Sequence, residues 1–131
     1  MDLEVTSGAI ATLLKEATLA APLECCGLLL GLDQRIARAV PAVNIHPEPA
    51  RHFEIDPAVL IPALRTEREG GDRVLGYYHS HPNGLARPSA EDLACASGDG
   101  RIWAIVAAGG ITWWRSDKEG FEPLSLRVVE G

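Results

Sequence analysis

The stretch Gly76–Ser97, GYYHSHPNGLARPSAEDLACAS, decides the expected fold of this chain. An apolar strand runs into it, breaks at PNG and is followed by a helix. His79 and His81 are two residues apart in the strand, so their side chains leave the same face, with Cα atoms roughly 6.5–7 Å apart. Asp92, in the first turn of the helix, can bring a carboxylate to the same point. Two histidines and an aspartate leave a fourth position open, which is typical of a catalytic rather than a structural zinc site.

Five residues of this stretch form a recognisable motif. His79, Ser80, His81, Ser89 and Asp92 follow the order His-Ser-His, seven residues, Ser, two residues, Asp. The order resembles the JAMM (MPN+) metalloprotease motif, whose members include deubiquitinating isopeptidases and stand-alone prokaryotic relatives that act on ubiquitin-like sulfur carriers. A His-x-His pair alone is a weak signal, whereas five positions at the correct spacing in a strand-loop-helix context are a strong one. The resemblance covers most of the chain.

The resemblance implies a role for each of these residues. One zinc ion per chain is expected on His79, His81 and Asp92. The family also places a glutamate on an early strand, and Glu24 in LECCGLLLG matches it as the general base. Ser89 is expected to donate a hydrogen bond to the tetrahedral oxyanion. Glu24 opens an otherwise apolar run, where a carboxylate without a role is unexpected.

Ser89 and Asp92 also have a purely structural interpretation. Ser89-Ala90-Glu91-Asp92 resembles a capping box that starts a helix, with Asp in place of the usual Glu or Gln. We favour the metal-site interpretation and expect the capping contribution of Asp92 to be minor.

The loop 43–55, VNIHPEPARHFEI, carries the remaining candidates. By resemblance to bacterial JAMM proteins, Asn44 and Phe53 are predicted to lie near the substrate tail. His46 and His52 could bind a second metal ion, but loop histidines are more often solvated or hydrogen-bonded. We therefore expect a structural role for both histidines.

The rest of the chain predicts an α+β fold. Hydrophobic periodicity and turn signals place helices at 7–21, 56–69 and from 88 onward, and strands at 25–32, 35–42, 73–81, 101–108, 111–116 and 121–129. Gly109-Gly110 is predicted as the turn of the hairpin that precedes the last strand. The order indicates a three-layer α-β-α arrangement with a mixed sheet. The resemblance implies the same, namely a curved mixed sheet with helices on both sides, similar in plan to the cytidine deaminases.

Composition narrows the class of protein. The 131 residues fit one domain, 1–131, and 47% of them are hydrophobic, enough for a core. The net charge of -6 argues against nucleic-acid binding. The apolar runs are too short for a membrane span, and the N-terminus has no signal-peptide pattern, so a cytoplasmic location is expected. Cys25 and Cys26 alternate faces on a predicted strand, which favours buried, unreactive thiols over metal ligands.

The sequence therefore predicts a zinc-dependent peptidase or isopeptidase. Its expected substrate is a ubiquitin-like sulfur carrier or its conjugate, cleaved after the C-terminal Gly-Gly. One alternative is an inactive MPN-type binding scaffold, although such members are expected to lack ligands. The other is a two-His-one-carboxylate iron oxygenase, a chemistry that usually sits on an all-β barrel.

Overall fold

The computed structural model describes residues 3–131, which form a mixed eight-stranded sheet and three helices. This confirms the predicted α+β class. In chain order the elements are β1 (Leu3–Thr6), α1 (Ser7–Ala20), β2 (Cys26–Leu32), β3 (Arg35–Ala42), α2 (Pro57–Arg68), β4 (Arg73–Ser80), α3 (Ala90–Cys95), β5 (Ile102–Ala107), β6 (Gly110–Asp117), β7 (Gly120–Pro123) and β8 (Leu126–Val129). Within the described range no helix is long and apolar enough to cross a membrane.

The sheet is strongly curled. Its strand order is β7-β6-β5-β4-β2-β3-β1-β8, and β4 runs parallel to β5 while β1 runs parallel to β3 and β8. β7 and β8 lie at opposite edges, yet only Leu124 and Ser125 connect them. That connection spans at most about 11 Å, whereas eight flat strands would be about 34 Å wide. The two edges must therefore curve toward each other.

Helices cover both faces of the sheet. α1 packs into the larger apolar cluster, which contains its own Leu13 together with Leu29 and Tyr78 from β2 and β4. On the other face α2 packs over Leu28 and Leu30. Neighbouring leucines of β2 thus enter opposite layers, which is why the run 25–32 is apolar throughout. The predicted three-layer arrangement agrees with this packing.

One extra residue in β4 sets the face of the sheet on which His79 and His81 lie relative to the start of the strand. Opposite β2, Leu29 pairs with Gly76 and Leu30 with Val74, so Leu75 is an extra residue in the ladder. Val74 and Tyr77 consequently both pack on the α2 side, three residues apart rather than two. Gly76 is required there, because a Cβ would lie 1.8 Å from the carbonyl oxygen of Ile102 on β5.

Two sequence-based expectations are wrong in detail, and one strand lies outside the predicted elements. That strand is β1, whose four residues are too few to show a period and whose partners β3 and β8 are distant in the chain. The predicted strand 121–129 is two strands, since the chain leaves β6 after Pro123 and joins β1 from Leu126. The hairpin turn is Ala108-Gly109 rather than Gly109-Gly110; both residues have positive φ, 52° and 77°, as a type I′ turn requires.

Candidate metal centre

The end of β4 and the start of α3 bring three candidate ligands together. The Nε2 atoms of His79 and His81 are 2.9 Å apart, and Asp92 Oδ2 lies 3.2 Å and 3.1 Å from them, respectively. All three side chains are buried. Among residues 3–131, these three side chains are the His, Cys, Asp or Glu residues whose ligand atoms converge closely enough to hold a metal ion. The spacing of the sequence motif thus predicted a real juxtaposition.

The surroundings of the histidines direct lone pairs to the same point. His81 Nδ1 lies 2.7 Å from the carbonyl oxygen of Leu85, which can only accept, so Nδ1 carries a proton and, in the neutral ring, Nε2 presents a lone pair. His79 Nδ1 is buried and has no hydrogen-bond partner among the described residues. The Phe53 ring stacks on His79, with centroids 4.2 Å apart and an interplanar angle of 17°. Two imidazole nitrogens and a carboxylate oxygen this close together require a cation or shared protons between them, which fits a metal ion.

Asp92 both caps its helix and faces the histidines, so the expectation of a minor capping contribution is wrong. Its Oδ2 accepts the backbone N–H of Ser89 at 2.9 Å, and Ser89 Oγ accepts the N–H of Asp92 at 3.0 Å. This is a complete capping box. The oxygen that faces the histidines is also the one that accepts from Ser89. Capping therefore orients the carboxylate, and the Ser89 hydroxyl proton stays available because its oxygen acts as the acceptor.

Burial and charge shift the pKa values of the three groups in different directions. Burial lowers the pKa of His79. Burial would also lower that of His81, but hydrogen bonds to Asp92 and to the Leu85 carbonyl raise its pKa overall. Burial alone would raise the pKa of Asp92, yet hydrogen bonds from both histidines hold it well below the ordinary value. The carboxylate is thus anionic, and positive charge is favoured beside it.

Glu24 precedes β2 and lies at the same site. It lines a cavity of about 350 Å³ together with His81 and Ser89, and only 7% of its surface is exposed. Burial raises the pKa of Glu24 to about 7, although His81 acts in the opposite direction. A carboxyl group with that pKa can both accept and return a proton near neutral pH.

Two hydrogen bonds, one to the loop 43–55 and one to β4, hold the Glu24 segment in place. The N–H of Glu24 donates to the Pro49 carbonyl at 2.7 Å. Ser80 Oγ accepts the N–H of Cys25 at 2.8 Å, which gives the serine between the two histidines a positioning role. Sequence reasoning placed Ser80 in the motif without a function. Its alternation to the face opposite the histidines is the available signal that it does not bind the metal.

Asn44 has all four hydrogen-bonding positions of its side chain occupied within the protein. Its Nδ2 donates to the carbonyls of Glu24 and His52 at 3.0 and 2.9 Å, and its Oδ1 accepts from the N–H groups of His46 and Glu54, both at 3.1 Å. Asn44 therefore ties the loop to Glu24. The Phe53 ring packs on His79. A substrate contact by Asn44 or by Phe53 stays a prediction.

The other loop histidines have internal partners. His52 pairs with Glu91 and, at 3.6 Å, with Glu48, while His46 Nδ1 accepts the N–H of Glu48 at 2.9 Å. Neither histidine belongs to a converging ligand group within residues 3–131. These contacts agree with the structural role expected for both.

The cysteines beside Glu24 are buried, as predicted. Burial raises the pKa of Cys25, and it raises that of Cys26 to about 12. Thiols with raised pKa values are poor nucleophiles and poor metal ligands at neutral pH.

Comparisons with known proteins agree with this geometry. Residues 6–117 match the family of prokaryotic homologs of the JAB domain. A desampylase from Haloferax volcanii is 36% identical over 112 residues, which are 82% of this chain and 79% of the relative. A probable TtuB-protein conjugate cleaving protease from Thermus thermophilus is 40% identical over 83 residues, covering 63% of this chain and 53% of that protein.

Solved structures share the fold over nearly the whole chain. A solution structure from Desulfitobacterium hafniense superposes with a TM-score of 0.84 at 30% identity, covering 98% of this chain and 93% of that one. A structure described as a JAMM metalloprotease-like zinc site in the proteasome and signalosome gives a TM-score of 0.66 at 23% identity, covering 99% and 100%. The second likeness concerns the fold alone.

Proposed function

The chain belongs to the family of prokaryotic homologs of the JAB domain and is a JAMM-type hydrolase, and from that premise we propose that it is a zinc-dependent peptidase or isopeptidase. In this proposal residues 1–131 act as one catalytic domain. The substrate is a ubiquitin-like sulfur-carrier protein or its conjugate, and the bond cleaved follows the C-terminal Gly-Gly. A cytoplasmic location stays a prediction.

The observation that carries the proposal is the convergence of His79, His81 and Asp92 beside Glu24. Two imidazole nitrogens and one carboxylate oxygen are a donor set suited to Zn²⁺, and they would hold one ion per chain. Bound there, zinc would act as a Lewis acid and make a water molecule nucleophilic at neutral pH. The Leu85 carbonyl and the Ser89 N–H hold the His81 and Asp92 side chains in the orientation in which they would bind the ion.

Glu24 and Ser89 supply the remaining steps. The Glu24 carboxylate takes a proton from the attacking water and then gives it to the nitrogen of the leaving amine, so the C–N bond breaks and a carboxylate forms on the carrier. The Ser89 hydroxyl donates a hydrogen bond to the oxygen that was the scissile carbonyl. The raised pKa of Glu24, about 7, supports both directions of proton transfer near neutral pH.

The relatives support the substrate class. One is named as a desampylase and another as a probable protease for TtuB-protein conjugates. A Gly-Gly terminus has no side chains, so it can pass through a narrow groove beside the metal. The two alternatives are less well supported, because the described chain keeps the full constellation that a scaffold would lack and its helix-covered sheet is unlike the barrel of an iron oxygenase.

The test is cleavage of the ubiquitin-like carrier protein from the same genome, extended by a short peptide after Gly-Gly. Mass spectrometry locates the cut, and each reaction is run with and without a chelator, followed by zinc or iron addition. Cleavage after Gly-Gly that a chelator abolishes and zinc restores is expected. Chelator-resistant cleavage, or restoration by iron alone, would contradict the zinc proposal.

A further inference from the structure

We propose that Arg51 and Arg87 bind a carboxylate of the substrate's leaving group, directly beside the scissile bond. This inference rests on the proposed function and specifies which leaving groups the site favours. It starts from the cavity of about 350 Å³ that contains Glu24, His81 and Ser89.

The two arginines enter this cavity from separate loops. Arg51 belongs to the loop 43–55, and Arg87 to the segment that joins β4 to α3. Both residues are exposed. The cavity thus has guanidinium groups contributed by both of the segments that surround the candidate metal ligands.

Neither guanidinium group has an ionic or hydrogen-bonding partner among residues 3–131. The arginines that line cavities elsewhere in the molecule all bond within the protein: Arg73, Arg101 and Arg127 pair with carboxylates, and Arg35 and Arg115 donate to backbone carbonyls. The chain has a net charge of -6, so carboxylates for pairing are abundant. Two arginines without partners in one small cavity therefore leave positive charge available to a ligand.

The chemistry of the cavity indicates a carboxylate as that ligand. A guanidinium group presents planar N–H donors that match the two oxygens of a carboxylate. The Gly-Gly segment on the other side of the scissile bond has no charged side chain, so an anion beside the bond must belong to the leaving group. It can be the terminal carboxylate of a single added residue or the side chain of an acidic residue.

The experiment compares three substrates that differ only after Gly-Gly. The carrier protein is extended by alanine with a free carboxylate, by alanine amide, or by aspartic acid α-amide with its side chain free. The zinc-loaded enzyme is compared with Arg51→Gln, Arg87→Gln and the double variant. Arg65→Gln, which removes an arginine of α2 from outside this cavity, is the control for net charge.

We expect kcat/KM to be at least about tenfold higher for the free alanine carboxylate than for alanine amide. The ratio of kcat/KM for the acid to kcat/KM for the amide should fall in each single variant. In the double variant the two values should lie within about twofold of each other, whereas Arg65→Gln should keep the wild-type ratio. If the aspartyl amide substrate has a kcat/KM as high as the free alanine carboxylate, a side-chain carboxylate is sufficient for recognition. If its kcat/KM is as low as that of alanine amide, the arginines recognise only the terminal carboxylate.

Equal kcat/KM for the acid and the amide in the wild type, or a preference that persists in the double variant, overturns this inference and leaves the proposed function intact. Failure to cleave any of the three substrates overturns the proposed function, and this inference with it.

Discussion

The two halves of the candidate site are built in different ways. The ligand half, His79 to Asp92, is one continuous strand-loop-helix segment, and its spacing alone brings the donor atoms together. The base half consists of Glu24 and the loop 43–55, joined by hydrogen bonds from the Glu24 backbone to the Asn44 side chain and to the Pro49 carbonyl. The ligand half depends on local geometry, whereas the base half depends on tertiary structure. We therefore expect mutations in the two halves to separate metal binding from turnover.

The largest effect is expected in the ligand half. His81→Ala and Asp92→Ala remove one of only three protein ligands, so both variants should lose stoichiometric metal and all measurable hydrolysis. Metal content by mass spectrometry, together with activity, measures this. His46→Ala, a histidine that lies outside the converging group, should keep both. Stoichiometric zinc in the two ligand variants would show that the ligand set is wrong.

The next largest effect is expected in the base half, where hydrolysis should be lost without loss of metal. Glu24→Gln keeps the size of the side chain but cannot accept a proton, so hydrolysis should fall by about 10²–10⁴-fold while zinc content is unchanged. Glu16→Gln, on α1, is the matched control and should retain wild-type turnover. If Glu24→Gln were as active as the wild type, the general base would have to be another group.

Ser89 connects catalysis with capping in the ligand half. Ser89→Ala removes the hydroxyl donor and should lower kcat by about 10²-fold, while loss of the cap costs about 1 kcal/mol of unfolding free energy. Ser89→Thr keeps both functions and should restore most of the rate. Thermal unfolding and kcat together test this. An unchanged kcat in Ser89→Ala would leave the residue as a helix cap only.

A change at Asn44 tests whether turnover depends on how the base half positions Glu24. Asn44→Ala leaves the Glu24 and His52 carbonyls without their donor and should lower the free energy of unfolding by about 1–3 kcal/mol. Because Glu24 then loses one of the hydrogen bonds that position it, kcat should fall more than KM changes, with zinc content unchanged. Gln34→Ala, an exposed amide between β2 and β3, is the control. A loss of stability with unaltered kcat would contradict a positioning role.

The smallest effect is expected at Cys95, at the end of α3. Its side chain is exposed and has no role in either half, so Cys95→Ser should keep kcat/KM and zinc content within about twofold. Because Cys95 is exposed, a thiol reagent should modify it in the folded wild type, and should modify Cys25 and Cys26 only after unfolding. Rapid modification of Cys25 would indicate that the Glu24 segment opens.

The same contrast explains what the sequence could predict. The convergence of His79, His81 and Asp92 can be predicted because strand and helix periodicity position side chains over short separations. The type of most helices and strands followed from the same periodicity. The capping contact that orients Asp92 was underestimated, because sequence does not show that one oxygen can accept from Ser89 and face the histidines at once.

Long-range features gave no such signal. The Leu85 carbonyl is a backbone group, so no residue type marks its contact with His81. The four hydrogen bonds of Asn44 depend on how the loop 43–55 lies against Glu24. β1 and the separation of β7 from β8 depend on pairing between distant segments. These features follow from the completed sheet rather than from local pattern.

The extra residue in β4 has a consequence for how such a chain can diversify. Side chains alternate along a strand, so removing Leu75 would turn every residue before it to the opposite face relative to His79 and His81. Either the histidines or Val74 would then enter the wrong layer. Point substitution at Leu75 is a mild change by comparison. Insertions and deletions should thus be absent from β4 in functional descendants of this protein.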